Sequence, residues 1–129
     1  MKYVCVGYYD QKKMDALSKA QIDAVMSECP PFMEEFYASG KVHLVAGTAT
    51  EAKGLRRVGG EVRITDGPTG GGHETVGCVF LVEAPDIAEA TRVAALHPTT
   101  RIVAGEQLGF RIGISPVHSF EERELKKGP

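Results

Sequence analysis

With 129 residues, 43% of them hydrophobic and 25% charged, the chain is sized for one domain with an ordinary core and leaves little room for a second. A formal net charge of -2 excludes a general attraction to nucleic acid or anionic lipid, and the absence of tryptophan leaves a poor platform for base stacking. No stretch approaches the ~20 apolar residues of a membrane span, and the three cysteines, Cys5, Cys29 and Cys78, form no close pair; a reducing, cytoplasmic setting is expected.

Lys2 to Tyr9 carries apolar groups at both parities, as a central strand covered on both faces should. Asp10 to Leu17 reads as a polar connection. Ser18 with Gln21 is a capping-box signal, because hydroxyl and amide satisfy the first free N–H groups of a helix. Ile22, Val25, Met26, Cys29, Met33, Phe36 and Tyr37 then recur at helical spacing. Pro30 and Pro31 interrupt that stripe and predict a kink or two helical pieces, and Gly40 ends the helix. Val42 to Gly47 is a second strand. Leu55 to Val58 and Val62 to Thr65 flank Gly59-Gly60, a hairpin signal, since both turn residues tolerate positive φ.

Asp66-Gly67-Pro68 supplies turn chemistry, and Gly70-Gly71-Gly72 extends a loop. Val76 to Glu83 is again apolar at both parities. Asp86 and Glu89 cap a second helix that carries Ile87, Ala90, Val93 and Ala94 inward, and Pro98 is expected to stop it directly after His97. Phe110 to Val117 is a last strand. Residues 118–129 form a charged tail outside the domain of residues 1–117, either a frayed helix or disordered.

The order predicts an α+β fold, a ferredoxin-like sandwich of βαβ(β)βαβ type with an antiparallel sheet and two helices on one face. Cys5, Val79 and Leu81 and their opposite-parity neighbours Val4, Val6, Phe80 and Val82 leave neither face of the sheet polar, and a large exposed apolar patch is unusual for a monomer. A homodimer packed sheet to sheet is therefore expected.

Thr65-Asp66-Gly67-Pro68, Glu74, Gly77 and the His97-Pro98 pair, with the opening Lys2-Tyr3 strand and Ala38-Ser39-Gly40, give the chain a resemblance to the YCII-related family, DGPF-type branch, over roughly Lys2 to Val117. Thr69 stands where that signature has phenylalanine, Gly71 for an acidic residue, His73 for lysine and Cys78 for the second glycine. The resemblance implies a dimeric α+β barrel with a pocket between sheet and helices. Some relatives use a histidine on the first helix with an aspartate before the proline ending the second; Cys29 and His97 fall at or beside those positions. Association with a transcription regulator such as an alternative sigma factor is also implied only by resemblance.

Candidate catalytic residues are His97, Asp66 and Cys29. His97, expected in the last turn of its helix, is either a proton carrier favoured as imidazolium or a side chain bonding free carbonyls. Asp66 is a general base or ligand contact, or else it bonds the backbone of its own turn. Cys29 precedes Pro30; a helix starting there would lower its thiol pKa, whereas its place on the apolar stripe suits a buried, inert thiol. Arg56 and Arg63, cross-strand neighbours if Gly59-Gly60 is a two-residue turn, either pair with Glu61 or bind a carboxylate ligand. His73 sits on a glycine-rich loop tip or lid within reach of the pocket.

The run from Gly67 to Glu74 is no P-loop, because Glu74 stands where the hydroxyl should be. The four histidines lack metal-ligand spacing, and neither metal nor cofactor is expected. The leading expectation is a small-molecule pocket protein, an acid–base enzyme on a small organic acid with His97 as proton carrier, Asp66 as polar contact or base and Arg56 with Arg63 as anion anchors. The alternative is a noncatalytic dimeric binding or regulatory module.

Overall fold

A computed structural model describes residues 1–67, 74–126 and 128. The fold is α+β and consistent with a ferredoxin-like sandwich. Strands β1 (Lys2–Asp10), β2 (Val42–Gly47), β5 (Glu74–Glu83) and β6 (Arg111–Pro116) form one antiparallel sheet in the order β2-β5-β1-β6. The strands β3 (Lys53–Val58) and β4 (Glu61–Asp66) pair only with each other. Helices α1 (Gln11–Asp15), α2 (Lys19–Met26) and α3 (Cys29–Ala38) follow β1. Helices α4 (Ile87–Ala94), α5 (Pro98–Arg101) and α6 (Gly105–Leu108) lie between β5 and β6. Among the described residues no helix is long and apolar enough to cross a membrane.

Local chemistry explains most boundaries. The Ser18 side chain accepts from Gln21 N–H while Gln21 accepts from Ser18 N–H, completing the capping box of α2. Pro30 and Pro31 fall in the first turn of α3, where a missing N–H costs nothing, so the long stripe divides into two helices. Asp86 caps α4 by accepting from Glu89 N–H at 2.8 Å. At the hairpin tip, Gly59 and Gly60 have φ of 59° and 84°, a conformation that other residues adopt only with strain.

Two segments depart from the sequence reading. Residues 11–15 form a helical turn rather than an open connection, because Asp10 accepts from Lys13 N–H at 3.2 Å. The second helix does not run to His97: α4 ends at Ala94, and His97 is extended, with φ -65° and ψ 143°, as the N-cap of α5. Pro98 therefore opens a helix instead of closing one. The described part of the tail, residues 118–126 and 128, contains neither helix nor strand, although the Lys2 ammonium sits 4.8 Å over the Phe120 ring.

The core lies on one face of the sheet. Tyr3 and Cys5 on β1 and Phe80 and Val82 on β5 are buried beneath Phe36 of α3 and Ala90, Val93 and Ala94 of α4. Phe36 meets Phe80 edge-on with ring centroids 5.0 Å apart. Side chains of opposite parity point to the other face. There Val4, Val6, Val79 and Leu81 are only half-buried, and Leu44 and Val76 are exposed. The register places Val4 opposite Leu81, Val6 opposite Val79 and Leu44 opposite Leu81, so these groups form one continuous apolar surface.

Candidate functional site

A cavity of about 430 Å³ opens between the C-terminal half of β1 and the helices α1 to α3. Its floor is set by cross-strand register. Cys78 on β5 lies opposite Gly7 of β1 and Gly47 of β2, so the same row of the sheet contributes two absent side chains. A Cβ at Gly7 would collide with Cys78 Sγ, whereas one at Gly47 would meet nothing within 4 Å. Gly7 is thus required by the thiol beside it, and Gly47 keeps space open. A bulge between Gly7 and Tyr8 re-aims the end of the strand, leaving Gly77 against the Tyr9 ring.

His97 stands over this floor and is 7% exposed. Its ring stacks on Phe80 at 4.9 Å and 10°, and meets Phe36 edge-on at 5.2 Å. Its Nδ1 accepts the backbone N–H of Thr99 at 3.1 Å, which assigns the proton of the neutral ring to Nε2. Among the described residues the ring's one hydrogen bond to the protein is this contact through Nδ1, which leaves Nε2 without a partner. Burial pushes the imidazole pKa down to about 4, the reverse of the expected stabilisation by a helix C-terminus. His97 caps the start of α5 and stands outside α4 altogether, so it is not in the last turn of that helix as expected.

Cys29 and Cys78 also line the cavity. Burial raises the Cys29 thiol, with Glu28 adding to the effect, so α3 does not make it a thiolate. The expected lowering does not occur because the residue before Cys29 is already helical and brings a carboxylate. Cys78 is raised by burial, partly offset by hydrogen bonds with the Thr99 side chain and the Gly7 backbone. Burial pushes Cys5, deeper in the core, up to about 11, helped by Cys78. At the mouth, the Tyr9 hydroxyl donates to Gln11 Oε1 at 3.2 Å, and Gln11 Nε2 donates to Asp15 at 2.8 Å.

The other expected residues lie elsewhere. Asp66, at the foot of the β3–β4 hairpin, is ion-paired with Lys53 and does not line the cavity. Arg56 does face Arg63 across the hairpin, but both are exposed, and Glu61 pairs with Val58. The expected convergence of Asp66 and the arginines with His97 is therefore corrected: the hairpin is an arm paired only to itself. His73 lies outside the described residues. Cys78, Thr99 and Gly47 were missed by sequence reasoning, since only strand register and the turn at Pro98 bring them together. Among the described residues, no three His, Cys, Asp or Glu side chains are grouped to hold a metal ion.

Comparison with known proteins fits this architecture. The YCII-related domain model matches residues 1–108, spanning the first strand, the cavity floor and every helix. No curated protein matches the chain. With the family's domain covering most of its length, the chain belongs to the YCII-related family.

Proposed function

We propose that the protein binds a small organic molecule in the cavity beneath His97, with the imidazole as its polar anchor. The observation that carries this reading is an unpartnered Nε2–H on a buried neutral ring at the edge of an otherwise apolar space of about 430 Å³. That volume falls within the ~300–1,000 Å³ of ordinary ligand pockets. Since Nδ1 is already bonded, His97 acts as a donor that polarises the ligand, and proton abstraction would require breaking the Thr99 contact.

Gly47 supplies the test. Because a Cβ there would meet nothing within 4 Å, Gly47→Leu should project into the cavity and obstruct it, with a stability change of no more than about 1 kcal/mol. The neutral fluorophore N-phenyl-1-naphthylamine should brighten with the wild-type protein and bind the variant more than about tenfold more weakly, a loss of 1.4 kcal/mol. Equal brightening by both proteins would refute the pocket.

A second reading, compatible with the first, is a homodimer formed through the open sheet face. It is supported by the contiguous apolar surface of Val4, Val6, Leu44, Val79 and Leu81. Sedimentation equilibrium at micromolar concentration should return twice the 13.9 kDa chain mass, and Leu81→Glu should return the monomer. A wild-type monomer would dispose of this reading.

A further inference from the structure

We infer that the cavity selects a neutral, largely apolar molecule carrying a hydrogen-bond acceptor such as a carbonyl oxygen, placed on Nε2–H of His97, and that it disfavours carboxylates. This inference rests on the pocket reading above and adds the chemical class of the ligand.

The described lining contains no Lys, Arg, Asp or Glu. Met14, Ile22, Met26 and Met33 provide an apolar wall, and methionine adapts its shape to irregular ligands. The other polar groups are mostly engaged within the protein. The Thr48 hydroxyl donates to Val76 C=O at 2.6 Å, the Thr99 side chain bonds Cys78, and the Tyr9 hydroxyl bonds Gln11. Tyr8, Cys29 and Thr50 bring further neutral polar groups from partly or fully exposed positions, and the donor on a ring more than nine-tenths buried is that of His97. A carboxylate placed there would lose its water and gain one neutral hydrogen bond, a poor exchange for a charge. The cations expected to anchor an acid, Arg56 and Arg63, are on the exposed arm. A carbonyl oxygen loses much less on leaving water and is satisfied by the same donor. The ring's depressed pKa keeps it neutral near pH 7, which agrees with this pairing.

The test uses the full chain at pH 7.5 and three molecules of similar shape: 2-acetonaphthone, 2-naphthoate and 2-ethylnaphthalene, each displacing N-phenyl-1-naphthylamine. The ketone should displace it at least about tenfold more strongly than the carboxylate, given the cost of burying an unpaired anion. In His97→Phe, the ratio of ketone to hydrocarbon affinity should fall about fivefold, the value of one neutral hydrogen bond. In the wild-type protein, the His97 Nε2–H resonance should move with the ketone and stay in place with the hydrocarbon, a readout that does not depend on the variant folding. Carboxylate binding as strong as the ketone's, or an unmoved Nε2–H signal, overturns the ligand class and leaves the pocket standing. Fluorophore binding insensitive to Gly47→Leu overturns both.

Discussion

Phe80→Ala should destabilise the protein by about 3–5 kcal/mol, the range for truncating a fully buried aromatic ring. Phe80 has no exposed surface, lies in the centre of the sheet on β5, and touches both rings that link the helix layer to the site. Its loss leaves a void directly beneath His97, which lines the cavity, and removes the ring on which the imidazole stacks. For a chain of this length the change corresponds to a fall in Tm of roughly 10–20 °C. Phe80→Leu, which keeps most of the volume, should cost less than about 1.5 kcal/mol. Chemical denaturation of the three proteins separates the outcomes. A Phe80→Ala protein within about 1 kcal/mol of wild type would show that the ring is not the packing centre the burial implies.

The elements governed by neighbouring residues were readable in advance. Ser18 with Gln21, Asp86 with Glu89 and the Gly59-Gly60 turn each satisfy backbone groups a few residues away, so composition and spacing suffice. The site was much less legible. His97-Pro98 carries two opposite meanings, helix end and helix start, because proline suits the first turn as well as the residues after a helix. Only the extended backbone at His97 decides between them. The floor of Gly7, Cys78 and Gly47 joins residues up to 71 positions apart through register, which no local pattern specifies. The arm fails in another way. Its turn and its self-pairing were plain, but nothing in Lys53 to Asp66 indicates that the hairpin would stay apart from the main sheet and leave Arg56, Arg63 and Asp66 off the cavity lining.

Acid should weaken the fold through His97 before it does so through any carboxylate described here. The unfolded chain takes up a proton at the histidine near the ordinary value of 6.5, whereas the native ring resists until about pH 4. Between those values the unfolded state holds one more proton, so stability rises with pH and falls as pH drops through the window. At 1.36 kcal/mol per unit the loss reaches about 3 kcal/mol by pH 4, less if cavity water reaches the ring. Glu83 acts in a lower window. Its hydrogen bond with His43, then that with the N-terminal amine, and nearby Lys2 hold its carboxyl down to about 2. Its contribution is present above the ordinary value of 4.5 and fades as pH falls toward 2. The two windows separate the groups. His97→Phe should flatten the dependence of stability between pH 6.5 and 4 and leave the lower part unchanged, while Glu83→Gln should do the opposite. Urea denaturation across this range reads both. A wild-type stability that stays level from pH 6.5 to 4 would mean that the folded imidazole takes up its proton as readily as the unfolded one, and the burial of the ring would then carry no electrostatic penalty.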